Sequence, residues 1–342
     1  MPVAVPTRGH SPVSPLREES LEIRAFASLM GLLLLGLVDN QILSPILPEI
    51  ALSFGVTVGL IGVTVSGYAL AAAMAALVVG PLSDRTGRRR PFLLGAGSGF
   101  ALASLSVYVS PSFAVFAVAR GLAGAAAGII SALVVTSIAD VVPYDRRGRA
   151  MGWVASAYFA APILGVPVAS WVAEQLGWRA LYIAFAVAAA LLVLALRTLG
   201  TEAAGWQGQA EGQERPRPSY LRFLQHRSTA AAVLSAFFVS GGVTGFIIYL
   251  GAYLRQQFGL SVTSVGLVFL LSGSASMLGA LGAGSVSDRV GKRTVALAGT
   301  LALAGFVLVF PSLSGGVLPY VCLAAIGLAA ASRVAPLQSL VT

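Results

Sequence analysis

Charge is what this sequence has least of. Only 10% of its 342 residues are Asp, Glu, Lys or Arg, where a soluble domain carries about a quarter. So few charges cannot coat a water-facing surface. A soluble enzyme, a disordered chain and a nucleic-acid-binding module are therefore excluded, the last despite a pI near 10.3. One cysteine, Cys322, excludes a disulfide framework and a thiolate metal cluster. Two histidines, His10 and His226, both in polar segments, leave no histidine metal site. No nucleotide-phosphate loop of the form G-x(4)-G-K-S/T is present, so ATP is not the energy source the sequence suggests, and no cofactor is expected.

Apolar residues are abundant instead, at 57%, with a mean hydropathy of +0.86. They fall in ten continuous runs, near 25–47, 58–80, 91–109, 113–137, 149–172, 180–197, 230–253, 263–283, 294–311 and 317–342. Each is close to the ~20 residues a helix needs to cross hydrocarbon. A transmembrane barrel would show short alternating segments instead. The polar, Pro-rich start lacks a short apolar core with a cleavage site and reads as a tail over 1–24. A second polar stretch, 199–229, divides the chain into halves, 25–198 and 230–342.

Basic residues set the expected orientation. With the N-terminus inside, 18 of the 22 Lys and Arg face the cytoplasm and only Arg179 and Arg255 face outward. Arg120 and Arg333 fall within spans. The expected site is thus the plasma (inner) membrane, multi-pass, with the basic residues serving as topology signals and not as a nucleic-acid footprint.

The chain repeats itself at an offset of 204. Phe54, Gly55, Gly62, Gly80, Ser83, Asp84, Arg85, Gly87 and Arg89 recur as Phe258, Gly259, Gly266, Gly284, Ser287, Asp288, Arg289, Gly291 and Arg293. Gly121-Leu122-Ala123 recurs as Gly327-Leu328-Ala329, at an offset of 206. Two parallel six-span halves around a central cavity form a transport architecture. By this alignment Thr342 corresponds to Thr136, so ten of twelve expected spans are present and a C-terminal truncation by about two spans is expected. A non-transporting remnant is one rival. A membrane enzyme is another, but it would need several intramembrane acids or a metal cluster.

The most specific signal is the loop Gly80-Pro-Leu-Ser-Asp-Arg-Thr-Gly-Arg-Arg-Arg90, with its copy Gly284-Ser-Val-Ser-Asp-Arg-Val-Gly-Lys-Arg293. It resembles the G-x-L-x-D-R-x-G-R-R/K loop of the major facilitator superfamily. The resemblance runs from the first span to the tenth and implies an all-α polytopic fold of two pseudo-symmetric helical halves. Gly80 and Gly284 are expected to allow close helix approach, and Gly87 and Gly291 a tight turn. Asp84, Arg85, Arg88, Asp288 and Arg289 are the expected charges of a conformational latch. For the arginines, a topology anchor is the competing reading.

Two charges lie inside spans. Arg120 opens Arg120-Gly-Leu-Ala-Gly124-Ala-Ala-Ala-Gly128, which resembles the R-x-x-x-G element of the same superfamily, where the Arg is associated with proton transfer. A buried Arg in lipid is expensive unless paired. Gly124 and Gly128 also read as a GxxxG packing face. Asp39 precedes Leu47-Pro48 in a pattern similar to the first span of the drug and sugar efflux branch. Measured from the expected span ends, Asp39 is ~12 Å deep and Arg120 ~10 Å. Equal depth permits a charge pair or a shared water cavity, and makes the two the candidate proton-coupling residues. A helix-end carboxylate wetted from outside is the competing reading of Asp39.

Ala161-Pro162-Ile-Leu-Gly165-Val166-Pro167 is a partial match to an antiporter element of the superfamily, with Pro162 and Gly165 kept. A proline kink with small-residue packing explains it equally. Tyr68, Tyr158, Tyr249 and Arg333 are candidate cavity residues, although each side chain more often serves packing or the membrane interface. The resemblance implies a monomeric secondary transporter with a small-molecule substrate, protons and the lipid bilayer as partners. Efflux by a proton antiporter of the drug or arabinose type is the first expectation. Uptake of sugars or organic acids is the alternative.

Overall fold

The structure, a computed structural model, describes residues 15–141, 144–198 and 227–334. Residues 1–14, 142–143, 199–226 and 335–342 lie outside it, and with them most of the expected tail and central loop. The described chain is helical, in the order α1 (Pro15–Phe54), α2 (Val58–Thr86), α3 (Arg89–Val109), α4 (Phe113–Val141), α5 (Tyr144–Ala160), a π-helical turn (Ala161–Gly165), α6 (Val166–Leu176), α7 (Trp178–Thr198), α8 (Arg227–Phe258), α9 (Val262–Val290), α10 (Lys292–Val309) and α11 (Leu318–Ser332). Nine helical segments among the described residues are long and apolar enough to cross a membrane, and α5, the π turn and α6 together make one of them. The tenth, α11, is apolar but 15 residues long as described.

Three boundaries differ from the sequence reading. First, α1 begins at Pro15, inside the expected tail. Second, it continues through Pro45 and Pro48 to Phe54. Membrane helices tolerate proline when their surroundings satisfy the carbonyls it frees, here those of Gln41 and Ser44; nearby, Arg255 donates to the Pro45 carbonyl at 3.1 Å. One consequence is that Glu49, just past the expected end of the first run near 47, belongs to the first span. Third, the described part of α11 runs only to Ser332, with Arg333 at its C-cap position.

The repeat is visible in the turns. Gly55 and Gly259 both adopt φ of 65°, and Gly87 and Gly291 adopt 61° and 99°. These left-handed values reverse the chain tightly between helices, which only glycine does without strain. Thr57 accepts from the Leu60 N–H and Ser261 from the Ser264 N–H, so α2 and α9 start with matching caps.

Packing repeats as well. A Cβ at Gly124 would fall on the backbone of Tyr68, and one at Gly128 on that of Ala72, so α4 crosses α2 in backbone contact. In the second half Gly327 meets Ser272 and Gly279 meets the backbone of Leu328, bringing α11 against α9 in the same way. Without a hydrophobic driving force in lipid, such small-residue crossings let dispersion hold helices together.

Candidate functional site

Asp39 of α1 and Arg120 of α4 meet in the interior of the first half. Arg120 Nη1 donates to Asp39 Oδ1 at 2.6 Å, with the two residues 1% and 0% exposed. That excludes the water-exposed helix-end reading of Asp39. Two tyrosines enclose the pair. The Arg120 guanidinium carbon lies 4.5 Å from the Tyr68 ring centroid and 5.9 Å from that of Tyr182. A cation over aromatic faces is stabilised in a desolvated site. Tyr68 donates its hydroxyl to the Gly36 carbonyl at 3.3 Å. Among the described residues Asp39 Oδ2, Arg120 Nε and Nη2, and the Tyr182 hydroxyl have no hydrogen-bond partner. The site is therefore a paired but incompletely satisfied polar cluster, the kind of place where a proton changes the balance most.

Tyr182 escaped the sequence reading because nothing in its own span marks it. It follows Trp178 by one helical turn, in a ladder that runs Phe54, Phe116, Trp178, Tyr182 and Phe185 with adjacent centroids 5.4–6.1 Å apart. Tyr68 is buried in this cluster, and not at the cavity as expected.

The cavity lies between the halves and measures about 580 Å³. Of the four candidate cavity residues only Tyr158 lines it. Tyr249 instead packs against α2, where a Cβ at Gly62 would run into its hydroxyl. Arg333 packs beside Gly299 at the end of α11. One face of α1, Leu37, Asn40, Gln41 and Ser44, points into the cavity. These positions recur at helical spacing, so Asp39 falls on a different face and reaches Arg120. Gly165 seats Val38 of α1, and Pro162 lies against Gly273 of α9, so the π turn is wedged between the halves. Local π adjustments re-satisfy backbone groups that a proline frees, and π turns are frequent at functional sites.

At the end bearing the repeated basic loops, Arg89 pairs with Asp84 at 3.0 Å. Arg90 donates to the carbonyls of Leu196 and Arg197, at 3.0 and 3.1 Å. Arg85 and Arg88 are exposed. Gly80 and Gly284 do not bring helices together in this structure, because a Cβ at either would meet nothing within 4 Å.

Polar contacts between the halves gather at the opposite end. Ser44 Oγ donates to the Ile247 carbonyl at 2.5 Å and accepts from the Gly251 N–H at 3.0 Å. Arg255 pairs with Glu49 as well as with the Pro45 carbonyl. Glu174 accepts from the Thr263 N–H at 2.6 Å. The repeated glycines Gly62 and Gly266 both sit at this interface, against Tyr249 and against Pro167 and Ser170. The repeat at 204 was the one signal that could have found them.

A sequence profile of the Major Facilitator Superfamily matches residues 29–342. The chain belongs to that superfamily. It is thus a multi-pass membrane transporter of the secondary class. A chloramphenicol resistance protein of Streptomyces lividans is 32% identical over 264 residues, 77% of this chain and 67% of that protein. An uncharacterised MFS-type transporter of Bacillus subtilis, YceJ, is 28% identical over 277 residues, 80% of this chain and 69% of that one. Among solved structures, a bacterial homologue of the lysosomal transporter Spinster, inward-facing and unoccupied, superposes with a TM-score of 0.76 at 13% identity, over 96% of this chain and 76% of that one. A D-xylose-proton symporter superposes at 0.66 and 16% identity, over 91% and 79%. At these identities the structures establish the fold alone.

Proposed function

We propose that this chain exports small organic molecules in exchange for protons by alternating access across the plasma membrane, with its N-terminus cytoplasmic. The buried Asp39–Arg120 pair carries the reading. A charge pair sealed in apolar surroundings is stable only while both partners stay charged. A proton on Asp39 neutralises the carboxylate and leaves Arg120 alone. That imbalance favours a rearrangement in which α1 and α4 move, and α1 is also the helix that presents Asn40 and Gln41 to the cavity. Substrate and proton then act on the same element, which is what coupling requires.

The arrangement described is closed at the end of Glu49 and Arg255. With the expected orientation this is the inward-facing state. The repeated loops would close in the alternative state, with Gly80, Asp84, Arg85, Gly87 and Arg88 facing Gly284, Asp288, Arg289 and Gly291. The relative named for chloramphenicol resistance supports export and gives a first substrate to try. The test is a proteoliposome assay with an imposed pH gradient, chloramphenicol as substrate and a trapped pH dye. The parent should move protons with substrate. Asp39→Asn should abolish that flux and keep substrate binding. Normal proton movement in Asp39→Asn would place coupling elsewhere.

A further inference from the structure

The cavity carries information about charge. Its described lining holds no Asp, Glu, Lys, Arg or His. The ionic group beside the lining in the sequence, Asp39 next to Asn40, is paired with Arg120 of α4, and neither lines the cavity. Among the described lining residues a cationic substrate would find no carboxylate, and an anionic one no guanidinium. Moving an unpaired ion out of water into such a site is strongly unfavourable.

What the cavity does offer is two adjacent side-chain amides. Asn40 and Gln41 face it from α1, half-buried, and neither has a hydrogen-bond partner among the described residues. Each amide supplies both a donor and an acceptor without charge. The other hydroxyls are partly committed. Ser44 is bonded to α8, Ser272 donates to the Leu323 carbonyl and Ser276 to that of Ser272. Tyr158 shares a hydrogen bond with Ser131 and Thr300 donates to the Ala296 carbonyl, which leaves only the Thr244 hydroxyl uncommitted among the described lining residues. The rest of the wall is apolar and aromatic, with Phe159, Phe246 and Phe269 prominent. A polyol would leave most of its hydroxyls unpaired against these rings, and each unpaired buried hydroxyl weakens binding.

We infer that the cavity takes an uncharged amphiphile: an aromatic or alicyclic body against the phenylalanines, with an amide or hydroxyl head on Asn40 and Gln41. This rests on the reading of the chain as a transporter whose substrate site is this cavity.

One ring system with three heads separates the possibilities. Naphthalene-1-acetamide, naphthalene-1-acetate and 1-naphthylmethylammonium share their body and differ in charge at pH 7. Equilibrium dialysis against the purified full chain in nanodiscs, with D-xylose as a fourth probe, should show the amide at least about tenfold tighter than the other three. Gln41→Leu should weaken the amide by about tenfold at an unchanged melting temperature. Gln41→Glu should turn the preference to the ammonium probe, because the cavity then holds a carboxylate. Equal or tighter binding of either ion or of xylose to the parent overturns the assignment, and so does binding of none of the four. The two readings fail separately. Amide binding without proton-linked transport rejects the antiporter and keeps the ligand class. Proton-linked transport of either ion does the reverse.

Discussion

Arg120 and Asp39, 81 positions apart, meet at 2.6 Å with neither accessible to solvent. Removing one partner of such a pair strands a buried charge and costs roughly 3–5 kcal/mol. Replacing both by neutral polar groups restores balance. Arg120→Ala should therefore lower the melting temperature by several degrees, and Asp39→Asn, which keeps the shape but strands the arginine, should do so too. The double variant Asp39→Asn/Arg120→Gln should regain part of the loss. All three should lack substrate-linked proton flux. Thermal melts in detergent together with the pH-dye assay check both halves of this expectation. Single variants that melt like the parent would mean the pair contributes nothing.

The glycines divide into two groups that a single assay can separate. Gly124 and Gly128 lie in backbone contact with Tyr68 and Ala72, which cannot retreat without moving α2. Gly124→Leu and Gly128→Leu should abolish a monodisperse peak on size-exclusion chromatography. Gly80 and Gly284 face open space in this state. Gly80→Leu and Gly284→Leu should fold normally, yet slow transport by an order of magnitude if the repeated loops close on each other in the other state. Wild-type transport by both would show that neither glycine is needed there.

These contrasts also show how much the sequence disclosed. Hydropathy alone located the spans, because crossing lipid requires long apolar helices. The offset of 204 exposed the halves and, through Gly55/Gly259 and Gly87/Gly291, the turns. Asp39 and Arg120 were legible as a pair because charges inside spans are rare and their depths matched. That depth match was partly fortuitous, since α1 ends at Phe54 and not near 47. Tyr182 and Ser44 were not legible, because a tyrosine or serine in a span has many innocuous roles. Tyr68 and Tyr249 were misplaced for a related reason: which face of a helix meets the cavity depends on how whole helices rotate against each other, and a uniformly apolar helix carries no moment to fix that rotation.

Topology has its own test. The basic asymmetry places the loops 85–90 and 289–293 in the cytoplasm. Ser112, exposed between α3 and α4, and Thr86, exposed at the end of α2, lie at opposite ends. In a background with Cys322→Ala, cysteine placed at 112 should react with an impermeant maleimide added to intact cells. Cysteine at 86 should react only after permeabilisation. The reverse pattern would invert the orientation and, with it, the identification of the described state as inward-facing.

The contact between Glu49 and Arg255 should decide how readily the opposite end opens. Arg255 ties α8 to α1 twice, through the Glu49 carboxylate and the Pro45 carbonyl. The charged groups are partly exposed, with side-chain accessibilities of 23% and 32%, so the ion pair alone is a modest contributor. The arginine does more than pair, because it also donates to the Pro45 backbone carbonyl of α1. Arg255→Ala should therefore shift the equilibrium further than Glu49→Gln, by about tenfold against about threefold, each tenfold step being about 1.4 kcal/mol. Ser276 lines the cavity, and a cysteine there reports its access. From the Glu49 side, labelling of Ser276→Cys should rise in the order parent, Glu49→Gln, Arg255→Ala. High salt should raise the parent toward the Glu49→Gln level by screening the pair, and leave Arg255→Ala unmoved. If Arg255→Ala labels no faster than the parent, the end is held closed by the Ser44 and glycine contacts alone, and the ion pair is incidental to the transport cycle.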